Sequence, residues 1–284
     1  MGALGLLSQV VKEIKTIIVK QSTKQSIGAD LENKVAVITG GGSGIGKSIA
    51  HLFAENKAKV YILEIDEEKG IKIQDEIQGN NNFCKFYNCD VSNEIIVNTT
   101  INKILDLEKR IDILVNNAAI SHIGTIEQTT SFDLDQIYNI NVKSILLVTK
   151  NVIGSMVNNN GGVILNLASI LAKVGVNERF AYSMSKGAVL AMTLSIAKDY
   201  IGKNIRCNCI CPARVHTPFV DDYLKNNYEG EEKKMFNKLS KFQPIGRMGQ
   251  PGEIAQLALF LCSDASSFIT ATTYDIDGGV INLR

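Results

Sequence analysis

Tyr182 and Lys186 lie four residues apart in a segment whose apolar residues recur at helical spacing, so both side chains share one helix face. A nearby ammonium stabilises a phenolate and lowers the pKa of a tyrosine from its ordinary value of about 10. Such a tyrosine can give or take a proton near neutral pH. Because the pattern Tyr-x-x-x-Lys is very common by chance, the pair alone is better interpreted as two surface residues.

Ser169 adds a third group to this pair. It follows the apolar run Val163–Leu167, which is typical of a buried strand, and it lies 13 residues before Tyr182. Open parallel sheets bind ligands in a crevice beyond the carboxyl ends of their strands. A hydroxyl in that crevice can hydrogen-bond a reacting carbonyl, so the three residues together predict a site of proton transfer.

A glycine-rich turn near the N-terminus predicts a nucleotide site. The sequence TGGGSGIG at 39–46 follows a strand-like run and opens a helical pattern. Glycines permit a tight turn and let the backbone approach a pyrophosphate, and the helix N-terminus offers free N–H groups. The spacing Gly-x-x-x-Gly-x-Gly differs from the more usual Gly-x-Gly-x-x-Gly.

Glu64 ends the next strand-like run, 20 residues after Gly44. A carboxylate there can accept hydrogen bonds from the adenosine ribose hydroxyls, and it would repel a 2′-phosphate. Neither Ser43 nor Ile65 brings a basic group that would neutralise that phosphate. We therefore expect NAD rather than NADP, although Glu64 alone would also suit an exposed carboxylate at a strand end.

The elements that must position these groups alternate along the chain. From Lys34 onward, short apolar runs are separated by helical patterns, which is typical of βαβ units. The expected fold class is α/β, a Rossmann-like doubly wound parallel sheet with helices on both faces in a single domain. The predicted strands are Val35–Ile38, Val60–Leu63, Phe83–Cys89, Ile113–Val115, Val163–Leu167 and Arg206–Ile210, and two of the predicted helices are Gly44–Glu55 and Glu67–Ile77.

Two segments stand outside that alternation. Residues 1–30 carry apolar residues at helical spacing with lysines between them, which predicts an amphipathic N-terminal extension that packs on the protein or a partner. A mitochondrial or membrane address is the alternative, and it is not favoured. Residues 31–284 are expected to form the domain proper. Within it, the polar stretch 213–243 is predicted to be a lid over the substrate.

Composition limits the classes of function. Thirty basic and 29 acidic side chains leave a net charge of +1, so charge gives no argument for binding nucleic acid. Cys207, Cys209 and Cys211 alternate along one apolar stretch, and we interpret them as reduced core thiols, which favours a cytoplasmic location. We expect no metal, because the three histidines are scattered without ligand spacing.

As a set, these motifs resemble the short-chain dehydrogenases/reductases. Alanines at 119 and 213 replace glycines that are usual in the family, and neither change removes a functional group. The resemblance covers about residues 34–279 and implies a homodimer or homotetramer. It rests on TGGGSGIG at 39–46, Asn116-Asn117-Ala118-Ala119, Ser169, Tyr182-x-x-x-Lys186, and Pro212 with Thr217, in the family's order and spacing.

The resemblance implies a role for each matching position. Tyr182 would be the acid/base, and Lys186 would bind the nicotinamide ribose and tune Tyr182. Ser169 would orient the substrate oxygen, and Asn141 would hold a proton-relay water. The expected cofactor contacts are Gly40, Ser43, Gly44, Ile45, Gly46, Glu64, Asp90, Val91, Asn117, Tyr182, Lys186, Val215 and Thr217.

Three segments resemble one branch of the family, with 2-keto-3-deoxy-L-fuconate dehydrogenases and type 2 hydroxybutyrate dehydrogenases: RFAYS at 179–183, IRCNCICP at 205–212 and QPIGR at 243–247. That branch acts on small hydroxy, keto or sugar acids. Arg179 matches an arginine that binds the substrate carboxylate, and a guanidinium can pair with a carboxylate through two hydrogen bonds. A surface salt bridge is the alternative role. A second carboxylate-binding arginine of some members falls near Tyr223 here.

The sequence thus predicts an NAD-dependent oxidoreductase that moves hydride between the nicotinamide and a secondary alcohol or ketone, with a small hydroxy acid or sugar acid as the expected substrate. Two alternatives stay open. One is a reductase of an uncharged ketone, steroid or acyl thioester in the same fold, which should not need Arg179. The other is a non-catalytic nucleotide-sensing or scaffold protein, against which the intact Ser169, Tyr182 and Lys186 argue.

Overall fold

The computed structural model describes residues 30–283 of the chain. Within them a single sheet has seven strands, and every neighbouring pair runs parallel. The strands are β1 (Val35–Thr39), β2 (Lys59–Glu64), β3 (Cys84–Asn88), β4 (Ile113–Asn116), β5 (Gly162–Leu167), β6 (Ile205–Pro212) and β7 (Thr273–Ile276). Their order across the sheet is β3-β2-β1-β4-β5-β6-β7.

Helices cover both faces of this sheet. A five-residue π-helical turn, Asn139–Lys143, joins two of them without a break. The helices are α1 (Gly44–Glu55), α2 (Glu67–Gly79), α3 (Glu94–Glu108), α4 (Ser131–Tyr138), α5 (Ser144–Asn158), α6 (Phe180–Tyr200), α7 (Pro218–Asn227), α8 (Glu232–Ser240) and α9 (Pro251–Cys262).

The strand order reverses beside β1, and this places the crevice. The chain runs outward from β1 to β2 and β3, then returns so that β4 pairs with the opposite edge of β1. Beyond the carboxyl ends of β1 and β4 the connections leave in opposite directions, and open α/β sheets bind ligands at such a point. The predicted fold class, a single Rossmann-like domain, is confirmed.

The core lies on both faces of the sheet, as near-continuous apolar strands require. On one face, Ile38 and Ile62 pack with Phe53 of α1 and Ile254 of α9. On the other face, Leu114 packs against residues of α3 and α5. All five residues of β1 are buried, because helices cover the central strands from both sides.

The long helical stretch Ser131–Asn158 is apolar and long enough, by length and composition, to cross a membrane. Half of its apolar window is buried inside the protein. Leu147 and Val148 belong to the core that packs against the sheet. This stretch is therefore accounted for as a core element of the domain.

Two parts of the domain differ from the sequence-based prediction, and a third prediction stays outside the structure. Strand β7 was not predicted, and residues 213–243 contain two helices, α7 and α8, that pack together around Leu224 and Leu239. These short helices are mostly polar, so their few apolar residues do not form a helical pattern that can be recognised in the sequence. The amphipathic helix predicted for the N-terminal extension lies, up to residue 29, outside the described residues.

Candidate active site

The carboxyl ends of β5 and β6 and the start of α6 form a cavity of about 280 Å³. Ser169 and Tyr182 both line it, together with Arg179. Ser169 lies two residues beyond β5, and Tyr182 is the third residue of α6. The structure therefore brings together in one cavity the hydroxyl, the phenol and the guanidinium that the sequence singled out.

Lys186 lies behind this cavity, one helical turn after Tyr182. Its Nζ is 5.6 Å from the centroid of the Tyr182 ring and donates a hydrogen bond at 2.8 Å to the backbone carbonyl oxygen of Leu167. The residue is almost fully buried. Burial lowers the pKa of Lys186 to about 8, since a low-dielectric environment penalises the ammonium.

The pKa of Tyr182 departs from the expectation that a neighbouring ammonium would lower it. Burial raises the pKa of this phenol to about 12, while the hydrogen bond with Ser169 and the positive charge of Arg179 act to lower it. The sequence-based expectation was wrong for this structure because desolvation outweighs the charges that reach the phenol. Tyr182 is therefore protonated at neutral pH, as a proton donor to a carbonyl must be.

Backbone groups hold the Ser169 hydroxyl in place. Its Oγ accepts a hydrogen bond from the N–H of Leu171 at 3.2 Å and donates to the carbonyl oxygen of Pro212 at 3.5 Å. The first bond closes the short turn that follows β5, and the second reaches the end of β6. The hydroxyl is thus fixed between two strand ends, beside Tyr182.

Asn141 lies in the π-helical turn and ties two elements to one another. Its Oδ1 accepts from the N–H of Ile120 at 2.9 Å, and its Nδ2 donates to the carbonyl oxygen of Ile120 at 2.9 Å and to Oγ of Ser185 at 3.0 Å. Ser185 in turn donates to the carbonyl oxygen of Tyr182 at 2.8 Å. Asn141 therefore connects the loop after β4 to the backbone that carries Tyr182, and π turns often occur at functional sites.

A buried chain of amides beneath the site was not predicted from the sequence. Asn116 on β4 donates through Nδ2 to Oδ1 of Asn166 on β5 at 2.9 Å, and Asn166 donates to Oγ1 of Thr193 on α6 at 2.9 Å. Satisfied buried networks fix the relative position of the elements they join. The signal was present, because both asparagines interrupt otherwise apolar strands.

A second cavity adjoins the first at the carboxyl ends of β1 and β4, sharing Ile45, Thr217 and Phe219 with it. We call the first cavity, which Ser169 and Tyr182 line, the substrate-side cavity. Two of the predicted cofactor contacts, Tyr182 and Val215, line the substrate-side cavity instead of the second one, and Gly46 and Lys186 line neither. Asn141, which was predicted to hold a water, also lines neither cavity. The predicted cofactor contacts that do line the second cavity are Gly40, Ser43, Gly44, Ile45, Glu64, Asp90, Val91, Asn117 and Thr217.

The glycine turn forms a cradle that only glycine permits. Gly40 and Gly44 have φ values of +65° and +53°, a region that L side chains rarely adopt. A Cβ on Gly46 would lie 2.1 Å from the carbonyl oxygen of Gly40. Asn117 supports the turn from behind, since its Nδ2 donates to the carbonyl oxygens of Thr39 and Gly40 at 3.0 and 2.9 Å. This cradle at the N-terminus of α1 fits a pyrophosphate.

Glu64 lies where a carboxylate can meet the adenosine ribose. Its Oε2 accepts from the N–H of Gly42 at 3.0 Å, and its Oε1 accepts from the N–H of Ile65 at 2.9 Å. No lysine or arginine is among the described residues that line this cavity. The nearby Lys69 pairs with Asp66 at 2.8 Å.

Arg179 precedes α6 and borders the substrate-side cavity. Its Nη1 donates to the carbonyl oxygen of Glu178 at 2.8 Å. Among residues 30–283, no ion pair joins it to a carboxylate. Its charge acts on Tyr182 and on Tyr228 at the end of α7. The surface salt bridge considered as its alternative role is therefore not found in the described part of the chain.

The stretch 213–243 lies over this cavity. Phe219, Val220, Tyr223 and Phe242 from it contribute to the cavity wall. Where the stretch leaves the sheet, Nε2 of His216 lies 2.9 Å from Oδ1 of Asp221, and the His216 ring meets that of Phe236 edge-on at 5.0 Å. These contacts connect α7 and α8 to the strand end that carries the site.

The doubly wound sheet, the glycine cradle and the tyrosine–lysine pair define a nicotinamide-linked oxidoreductase. Residues 40–281 match the family model described as enoyl-(acyl carrier protein) reductase. Taken with the relatives below, this match shows that the chain belongs to the short-chain dehydrogenase/reductase family.

Relatives within the family have several activities. An uncharacterized oxidoreductase of Thermotoga maritima is 37% identical over 250 residues, covering 88% of this chain and 98% of that protein. The 3-oxoacyl-[acyl-carrier-protein] reductase FabG of Chlamydia pneumoniae is 36% identical over 250 residues, with the same coverage of 88% and 98%. The ligand-free aldohexose dehydrogenase of Thermoplasma acidophilum superposes with a TM-score of 0.81 at 32% identity, covering 88% of this chain and 94% of that one.

Proposed function

We propose that this oxidoreductase uses NAD and interconverts a small hydroxy acid or sugar acid with the corresponding keto acid. The observation that carries the proposal is the position of Arg179, whose guanidinium borders the same cavity as Ser169 and Tyr182. A carboxylate is the natural partner of a guanidinium in a largely apolar cavity, because a charge there is costly unless it is paired.

The preference for NAD follows from Glu64. Its carboxylate is half-buried beside the glycine cradle, and a 2′-phosphate would bring negative charge against it. The described lining offers no cation to offset that repulsion. The ribose hydroxyls of NAD, in contrast, can donate to the carboxylate.

Each residue of the site has its own role in the reaction. Bound NAD supplies the hydride acceptor, and its dinucleotide would be held by the glycine cradle and Glu64. The Ser169 hydroxyl orients the substrate oxygen. In the reduction the Tyr182 phenol gives its proton to the ketone oxygen, and in the oxidation the Tyr182 phenolate takes the proton of the alcohol. Lys186, fixed by the carbonyl of Leu167, places an ammonium 5.6 Å from the Tyr182 ring and makes the phenolate less costly.

A screen of hydroxy acids and sugar acids with NAD, followed at the nicotinamide absorbance, tests this function. Each acid is paired with the neutral alcohol of the same carbon skeleton. We expect acids to be oxidised and their neutral partners to be poor substrates. Arg179→Met should raise KM for the acids by about ten- to a hundredfold and leave NAD affinity nearly unchanged.

Arg247→Met is the matched control, because Arg247 pairs with Glu253 at the surface and does not line the cavity. If Arg179→Met turns over the best acid as wild type does, Arg179 is a surface residue and the acid substrate is wrong.

A reductase of acyl thioesters is the second candidate, favoured by the similarity to FabG and by the apolar side chains in the cavity wall. Such an enzyme would reduce a 3-oxoacyl thioester and would be insensitive to loss of Arg179. Adding a short 3-oxoacyl thioester with NADH and NADPH to the screen separates the two functions.

A further inference from the structure

The two cavities at the carboxyl edge of the sheet meet at one boundary. The residues that line both cavities are Ile45 on α1, Thr217 just before α7, and Phe219 on α7. The glycine cradle and Glu64 lie on one side of this boundary, and Tyr182 lies on the other. A dinucleotide that is held by the cradle and reaches Tyr182 therefore has to cross the boundary with its nicotinamide end.

Two sides of the boundary belong to the rigid frame of the domain. Ile45 is the second residue of α1 and packs against the core. Thr217 lies against the glycine turn, since a Cβ on Gly44 would be 3.2 Å from its Cγ2. The residue before it is fixed as well, because the N–H of His216 donates to the carbonyl oxygen of Gly249 at 2.8 Å. Neither side therefore needs to move when a ligand binds.

Phe219 forms the third side and differs from the other two. It lies in the first turn of α7, which packs on α8 around Leu224 and Leu239. Phe219 is 59% exposed, and within the described part of the stretch 213–243 no other large apolar side chain is exposed. An aromatic ring that faces water at the junction of two cavities gains free energy when a ligand covers it.

We infer that Phe219 covers the nicotinamide ring of the bound cofactor, on the side that would otherwise face water. The nicotinamide is a flat ring with two apolar faces, which suits contact with a phenylalanine ring. Phe219 thereby holds the nicotinamide at the boundary and keeps water out of the space between it and Tyr182. The inference needs neither the acid substrate nor the preference for NAD, because NAD and NADP carry the same nicotinamide.

Binding to the full chain without any substrate tests this role. The ligands are NADH and ADP-ribose, which share everything except the nicotinamide ring. The proteins are wild type, Phe219→Ala, Phe219→Leu and the control Lys225→Ala, an exposed truncation on α7 that lines neither cavity. We expect Phe219→Ala to weaken NADH binding by about tenfold and ADP-ribose binding by less than about twofold. Phe219→Leu keeps apolar bulk and should weaken NADH by no more than about threefold.

The emission of bound NADH gives a second readout, measured with the protein in excess so that affinity does not affect it. Reduced nicotinamide emits at shorter wavelength where water is excluded. The shift of the emission maximum on binding should therefore be smaller in Phe219→Ala than in wild type, and Lys225→Ala should keep the shift of wild type.

Unchanged NADH affinity and emission in Phe219→Ala would overturn the inference and would make Phe219 a wall for the substrate alone. Equal weakening of NADH and ADP-ribose would also overturn it, because the lost contact would then lie outside the nicotinamide. If wild type binds NADPH more tightly than NADH, the preference for NAD in the proposed function fails. The role of Phe219 is then decided by the same comparison between NADPH and the 2′-phosphate of ADP-ribose.

Discussion

The backbone N–H of Gly42 donates a hydrogen bond to Oε2 of Glu64 at 3.0 Å, which ties the glycine turn to the end of β2. A Cβ on Gly42 would lie 2.8 Å from the same oxygen, so the contact needs glycine at this position. The carboxylate that should choose the cofactor is therefore positioned by the same turn that should hold the pyrophosphate.

Cofactor choice provides the first prediction. Wild type should prefer NAD to NADP in kcat/KM by at least about tenfold, because the 2′-phosphate meets the Glu64 carboxylate and no cation is among the described residues that line the cavity there. Glu64→Ser should lower the ratio of kcat/KM with NAD to kcat/KM with NADP. The change weakens the binding of NAD and removes the repulsion between the carboxylate and the 2′-phosphate of NADP. Glu68→Gln, an exposed substitution one turn further on, is the control. Steady-state kinetics with both cofactors decides, and an equal or better kcat/KM with NADP for wild type would refute the assignment.

Proton transfer provides the second prediction. Tyr182→Phe keeps the ring and removes the transferable proton, so kcat should fall by about 10²–10⁴-fold. NAD binding, measured by calorimetry, should stay within a few-fold of wild type, since the phenol faces the substrate-side cavity. Tyr200→Phe, at the other end of α6, controls for loss of a tyrosine hydroxyl. Near-normal kcat in Tyr182→Phe would mean that another group carries the proton.

Most of the fold could be predicted because its signals are local. Helix α1 was predicted with its observed bounds, since the glycine turn and the helical pattern mark both ends. The predicted strands differ from the observed ones by no more than two residues at any end. Strand β7 could not be found, because Thr273–Ile276 is short, includes Asp275 and is only partly buried. It forms through its pairing with β6, which no local pattern reveals.

The site was predicted less completely, for a similar reason. Residue type and spacing identified Ser169 and Tyr182, and the resemblance to one branch of the family identified Arg179. The structure places all three in one cavity. Arg214, which follows β6, also lines this cavity, with its Cζ 5.4 Å from the centroid of the Phe242 ring. That position depends on how the end of β6 meets Phe242 across the fold, so the sequence around Arg214 gave no signal of it. The raised pKa of Tyr182 likewise depends on burial, which the spacing of two residues does not measure.

The alanines at 119 and 213, where the family usually has glycine, cause no backbone strain, because neither has a positive φ.

The buried ammonium of Lys186 provides the third prediction. Its pKa is about 8 in the folded protein, below its ordinary value of 10.5, so the unfolded state holds more protons between these two values. The free energy of unfolding therefore gains a term that rises with pH in this window, by at most about 1.4 kcal/mol per pH unit. The cost of burying the charge is fully present below pH 8 and is relieved as the pH approaches 10.5.

Urea unfolding of wild type and Lys186→Met at several pH values between 7.5 and 10.5 measures this term as a difference between the two proteins. The free energy of unfolding of wild type minus that of Lys186→Met should increase with pH across the window. Lys198→Met controls for loss of a lysine from the same helix. A difference that is flat or falls with pH would show that the pKa of Lys186 is not lowered in the folded protein.

The stretch 213–243 provides the last prediction, that it closes over bound substrate. Its helices α7 and α8 pack mainly on one another around Leu224 and Leu239, while its side chains form one wall of the substrate-side cavity. A unit with few contacts to the main core opens more easily than the core itself, and a substrate that bridges the cavity should restrain it. Hydrogen exchange in α7 and α8 should therefore be faster than in α6 without ligand, and it should slow when NAD and an unreactive acid are added. Helix α3 is the internal control, because none of its residues lines either cavity, and it should exchange equally in both states. Identical protection of α7 and α8 with and without the ligands would mean that they form a fixed wall of the cavity.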